Sequence, residues 1–159
     1  MAKIEFYKDG DGNSQAMKLL EEIELLAKKD GSYRKLYVLI LNGLDLLRRH
    51  EMPLVNALVK LEHEDGTPYS IRLIKDLVKH QDLFEFRIDW KEVGAFRAIF
   101  FDLEFNKDKV VFITKAIIKE FTYSKEFDEL AKISEEIKLE VTSDVSKYFN
   151  SSNGDDSNE

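Results

Sequence analysis

The sequence predicts an α+β fold in which two N-terminal helices pack on a small antiparallel β-sheet, with a further helix at the C-terminal end. Three observations carry this. Two adjacent amphipathic stretches precede residue 50, aromatic and β-branched runs fill the region from Asp82 to Lys119, and a capped amphipathic stretch follows Ser124. Helices first and strands afterwards place the helical layer on one face of a sheet rather than alternating along it.

Each element has its own local reason. "KIEFYK", Lys3 to Lys8, alternates Ile4 and Phe6 with polar neighbours and reads as a short strand before the turn "DGDGN". Asn13 or Ser14 caps the first helix, whose Ala16, Leu19, Leu20, Ile23, Leu26 and Ala27 form one apolar stripe. "KDGS" ends it, and Ser32 caps a second helix with Tyr33, Leu36, Ile40, Leu44 and Leu47 along its face, stopped by "RRHEMP". The short connection predicts a helical hairpin. In "LVNALVKLEHEDG" the spacing of Leu54, Leu58 and Leu61 predicts a third, short helix, and "YSIRLIKDL" a short strand. Asp82 to Trp90, Gly94 to Phe105 and Lys109 to Lys119 then form an antiparallel meander. Ser124 caps the last helix, with Phe127, Leu130, Ala131, Ile137 and Val141 on its apolar face and Tyr148 at its furthest reach. One helix is narrower than four or five strands spaced about 4.8 Å apart, so part of the second sheet face is expected to remain open as a groove.

The 159 residues, 43% hydrophobic and 35% charged, suit one domain over 1–149. Residues 150–159, "NSSNGDDSNE", are rich in Ser, Asn and Asp with no apolar side chain to bury, and read as a disordered acidic tail. Net charge is −7, and removing Asp155, Asp156 and Glu159 leaves −4 for 1–149, which argues against charge-driven binding to long duplex DNA but not against a local cationic pocket. There is no cysteine, hence no disulfide framework, thiolate metal site or cysteine nucleophile. His50, His63 and His80 are scattered without ligand spacing and read as surface or loop residues rather than a zinc site. With no apolar run of spanning length and no secretory leader at "MAKIEFYKDGDGNSQ", the expectation is a cytoplasmic protein that does not engage the membrane.

The stretch "DLFEFRIDWKEVGAFRAIFF" poses the functional question, because each of its two strands carries one arginine among aromatic residues. Alternation puts Phe84, Phe86, Ile88 and Trp90 on the core face and Glu85, Arg87 and Asp89 on the other. With "KEV" as the loop and Trp90 opposite Gly94, Arg87 faces Arg97. Opposed like charges are unfavourable, and an anion between the guanidinium groups would resolve them. The plainer alternative is an exposed ion-pair ladder with Glu85 and Asp89. A three-residue "NKD" loop pairing Phe105 with Lys109 sets Ile99 opposite Lys115, and Lys119 shares its parity, so Arg87, Arg97, Lys115 and Lys119 form one expected patch with Tyr123 at its rim. For each lysine alone, a solvated strand end is the plainer reading.

In their order, four segments resemble the phage-derived HigB-like branch of the RelE/ParE toxins of bacterial toxin–antitoxin systems: "IEFYKDGDGNSQAMKLLEEI", "IKDLVKHQDLFEFRI" with its L-[YF]-E-[LF]-R strand, "FRAIFF" and "VVFITKAIIKE". Together they cover most of residues 3 to 138. The resemblance implies a RelE-like fold and an endoribonuclease acting on mRNA at the ribosome without metal or cofactor, held in check by an antitoxin protein, commonly of helix-turn-helix type. It further implies that the RNA 2′-hydroxyl attacks the adjacent phosphate while Arg87 and Arg97 stabilise the transition state, Lys119 helps bind phosphate, and Lys115 or Tyr123 assists the chemistry. The chain departs from the pattern at Lys115, where many relatives have histidine, at Ile117 in place of phenylalanine, at Lys119-Glu120 in place of a lysine pair, and in lacking a proline before the final helix. The proton-transfer groups therefore stay open. So do two other readings: a ParE-like binding toxin directed at DNA gyrase, and an inactive prophage protein that only binds an antitoxin.

Overall fold

The computed structural model describes residues 1–50, 54–120 and 124–149, and has a mixed α+β architecture. Strand β1 (Lys3–Phe6) is followed by helices α1 (Gln15–Ala27) and α2 (Gly31–His50). Strands β2 (Leu58–Glu62), β3 (Pro68–Arg72), β4 (Ile74–Asp76), β5 (Phe84–Trp90), β6 (Gly94–Phe105) and β7 (Asp108–Lys119) come next, and α3 (Lys125–Ser143) closes the fold. A five-stranded sheet has the order β1-β7-β6-β5-β4, antiparallel except that β1 runs parallel to β7; β2 and β3 make a separate two-stranded sheet.

The helix starts follow from side-chain caps. Ser14 Oγ accepts the Met17 amide at 3.1 Å and Ser124 Oγ the Phe127 amide at 3.1 Å, each satisfying a donor that the first turn leaves unpaired. At α2 the capping group is Asp30 rather than the expected Ser32: its carboxylate accepts from the Ser32 and Tyr33 amides at 2.8 and 3.3 Å. A helical segment over 145–149 follows α3, and its Phe149 stacks on Phe105 at 4.8 Å.

α1 and α2 cover one sheet face, burying Phe86, Phe96, Phe100 and Ile113 with Leu36, Leu39 and Ile40. α3 covers part of the other, over Ile99, Phe101 and Phe112. Each such side chain contributes about 1.5–3 kcal/mol on full burial. Close approach of α2 to β5 depends on Gly43, where a Cβ would stand 2.8 Å from the Phe86 ring.

Two expected elements are reassigned. The segment expected to form a third helix is strand β2: Val59 and Leu61 are buried while Leu58, Lys60 and Glu62 are exposed, a period of two that the leucine spacing masks. The expected single strand in "YSIRLIKDL" is split between β3 in the small sheet and β4 at the edge of the large one. The acidic tail expected at 150–159 lies outside the described residues. Among the described residues no helix is long and apolar enough to cross a membrane.

The β6–β7 hairpin turns through Asn106 and Lys107, both at positive φ, and pairs Phe105 with Asp108 instead of Lys109. A bulge between Ile99 and Phe100 then restores the expected Ile99–Lys115 pairing, leaving Thr114 without a partner on β6. Thr114 instead donates to the Ile99 carbonyl at 3.0 Å and shares a 2.6 Å hydrogen bond with Ser134 of α3, so the bulge is held in the core.

Candidate nucleic-acid interface

The pairing of β5 with β6 sets Arg87 directly opposite Arg97, with Trp90 opposite Gly94, as the alternation predicts. Their side chains line a cavity of about 620 Å³ on the part of the sheet that α3 leaves open. Five cations reach it: Arg87 and Arg97 from the centre, Lys75 from β4, Lys91 from the β5–β6 turn, and Lys119 from the end of β7. Three carboxylates, Glu85, Asp89 and Glu120, share the walls, so the pocket carries a positive excess in a chain of net charge −7.

The two arginines are not an exposed ladder. Arg97 is 6% exposed; its Nη1 donates to the Phe96 carbonyl at 2.9 Å and lies 2.8 Å from Asp89 Oδ1. Arg87 Nη1 donates to the Arg72 carbonyl at 3.3 Å. Glu85 Oε1 comes within 3.2 Å of Arg87 Nε but off its N–H axis, so this buried donor has no hydrogen-bond acceptor among the described residues. A buried N–H left in this way costs about 1–3 kcal/mol, and an anion entering the pocket offers it a partner.

Lys119 Nζ sits over the Phe127 ring at 4.9 Å. Burial lowers its pKa below the usual lysine value, and the charges of Arg97 and Arg87 push the same way, with Glu85 partly opposing them. Its position depends on Gly94, at φ 142°, where a Cβ would lie 2.9 Å from the Lys119 carbonyl oxygen.

Of the residues expected in one patch, Arg87, Arg97 and Lys119 come together, and Lys115 does not. Lys115 lines a separate depression of about 400 Å³ with Asp9, Gln15 and Lys18. The edge of β7 changes partner there: β1 stops pairing at Ile113, the bulge intervenes, and the Gln15 side chain then takes the edge of β7 by bonding both the N–H and the C=O of Ala116 at 2.8 and 2.6 Å. In that depression Asp9 is held below the usual carboxylate range, chiefly by the Asn13 amide, with Lys115 and Lys18 adding to the effect. Tyr123 lies outside the described residues.

Sequence reasoning did not single out Lys75, Tyr69 or Lys91. Lys75 is placed by the pairing of β4 with β5, which sets it opposite Glu85. Trp90, read as core, packs against the core and also lines the pocket, with Lys35 over its ring at 5.4 Å and His63 against it at 5.2 Å; its Nε1 is buried without an acceptor among the described residues. Tyr69 had no local signal at all: its hydroxyl donates to the Asp89 carbonyl and accepts the Asp89 amide, both at 2.8 Å, from a different sheet. Among the described residues no group of three or more His, Asp or Glu side chains is arranged to hold a metal ion.

Compared with known proteins, the chain matches no family model. No curated protein matches it, and no solved structure does.

Proposed function

We propose that the chain is the toxin of a bacterial toxin–antitoxin system, a RelE/HigB-like cytoplasmic endoribonuclease that cleaves mRNA at the ribosome. One observation carries the reading: Arg87, Arg97 and Lys119 share a concave, cationic pocket although the whole chain is acidic. The motif order of the sequence supports it from a different direction. In this reading a phosphodiester seats between the arginine forks, whose planar donors match its oxygens. The 2′-hydroxyl of the preceding nucleotide gives its proton to solvent as it attacks phosphorus, the bond to the 5′-oxygen breaks, and the products are a 2′,3′-cyclic phosphate and a 5′-hydroxyl. DNA lacks that nucleophile. Arg87 and Arg97 stabilise the added negative charge, and Lys119, whose hold on its proton is weakened, is suited to protonating the departing oxygen. A helix-turn-helix antitoxin is the expected inhibitory partner.

A second reading, a toxin that binds its target without cutting RNA, is favoured by the carboxylates already beside both arginines, Asp89 at 2.8 Å and Glu85 at 3.2 Å. Inducing the protein in cells and mapping new mRNA 5′ ends separates the two. Codon-phased cuts that vanish with Arg87→Ala and with Arg97→Ala support the nuclease; growth arrest with intact mRNA supports the binding toxin, and no arrest supports an inactive protein.

A further inference from the structure

The strand beside β5 ends before β5 does. β4 pairs with it only from Phe84 to Phe86, and the Leu73 carbonyl serves the Arg87 amide at 2.8 Å. Two residues further, at Asp89, no described strand pairs with this edge of β5, and its N–H and C=O both turn to the Tyr69 hydroxyl, each at 2.8 Å. One phenol thus replaces the missing strand for a single residue. Burial raises the Tyr69 pKa, which keeps the proton that the carbonyl bond requires.

What Tyr69 pins is the residue whose carboxylate meets Arg97. With its backbone held on both groups, Asp89 places Oδ1 2.8 Å from Arg97 Nη1, and the Phe96 carbonyl takes the same nitrogen at 2.9 Å. One hydrogen-bond acceptor and one ion-paired carboxylate at the same nitrogen of a rigid planar group restrict the orientation of the guanidinium. Tyr69 is itself braced: the His63 ring stands edge-on at 5.7 Å, and the hairpin carrying both is tied to α2 by the paired Arg34–Glu64 bonds at 2.8 and 2.9 Å and by Asn42 to the Glu62 carbonyl at 3.1 Å.

We propose that Tyr69 is a positioning residue of the arginine pocket, acting through Asp89 to orient Arg97, so that the small sheet sets the geometry of a phosphate site on the large one. The link to phosphate rests on the functional reading above; the orientation of Arg97 does not.

The test reads the two separately. In ¹⁵N-labelled full-length protein, Arg97 is expected to show slow guanidinium rotation, with separate Nη–H signals. Tyr69→Phe, which keeps the ring, and Asp89→Asn, which keeps the shape, are both expected to average those signals. Tyr37→Phe, which removes a comparable phenol bond to Glu24 elsewhere, is expected to leave them unchanged. Alongside, binding of a 2′-O-methyl oligoribonucleotide, which lacks the attacking hydroxyl, is followed by fluorescence of Trp90, the only tryptophan. Tyr69→Phe is expected to weaken it about tenfold. Arg97 signals already averaged in the wild type, or equally resolved in Tyr69→Phe and Asp89→Asn, overturn the proposal. If Arg97 loosens in the variants but the wild type does not bind the oligonucleotide, the positioning role stands and the phosphate reading falls.

Discussion

Arg87 and Arg97 are direct cross-strand partners, and each keeps a different carboxylate beside it, Glu85 at 3.2 Å and Asp89 at 2.8 Å. Like charges so placed repel, and the flanking acids relieve that repulsion without filling the cavity between the strands. The flanking acids thus make two facing arginines compatible with one sheet.

The shape of those donors, as well as their charge, matters in this reading. Arg97→Lys retains the positive charge but loses the planar fork. Single-turnover cleavage of mRNA on programmed ribosomes is expected to slow by about 10²–10³, the usual loss when one transition-state donor is removed. Cleavage at the wild-type rate would assign Arg97 to folding alone.

Lys119 predicts a pH dependence of stability. Its pKa is lowered in the folded state from the usual 10.5, so the protonated form opposes folding. The penalty is complete below the folded-state value and is relieved as pH rises through the window ending at 10.5, where the unfolded chain holds the proton more tightly. Relative to Lys119→Met, which carries no charge in either state, the wild type is expected to gain stability as denaturant unfolding is repeated from neutral pH upwards. A difference that stays flat across that range would show that burial and the arginines do not act on Lys119.

Gly94→Ala tests how tightly the pocket is built. The new methyl meets the Lys119 carbonyl oxygen at 2.9 Å and Ile118 Cγ2 at 2.9 Å, on backbone at φ 142°. A loss of about 1–3 kcal/mol in denaturant unfolding is expected, together with a change in Trp90 fluorescence because both residues line the cavity. No loss would mean that the end of β7 yields freely.

Lys115→Ala separates the two depressions. Since Lys115 faces Asp9 and Lys18 rather than the arginines, cleavage is expected to stay within about threefold of wild type, whereas losing an acid–base group costs about 10²–10⁴. A loss in the latter range would bring Lys115 into the chemistry.

Several features were legible in the residues themselves. Ser14 and Ser124 announced their helices because a capping hydroxyl acts within three residues, and the Arg87–Arg97 register followed from alternation counted back from a short turn. Leu54, Leu58 and Leu61 misled because three leucines satisfy helical spacing whether or not they are buried, and Leu58 is in fact 70% exposed. The Ile99–Lys115 pairing came out as expected through two offsetting differences, a two-residue turn and a one-residue bulge. The consequence for Lys115 did not follow, because the bulge lies where β1 ends and Gln15 replaces it.

Local order, one α+β chain and a pair of facing arginines were thus determined by the sequence alone, since capping, periodicity and alternation act between residues close along the chain. Which cations share the pocket was decided only in three dimensions. Lys75 and Tyr69 arrive from strands whose pairing no short-range pattern specifies, and Lys115 departs because an edge partner distant in sequence, Gln15, takes its strand's free hydrogen bonds. A side chain's neighbours across a sheet are set by where other strands stop, and that is a property of the assembled fold.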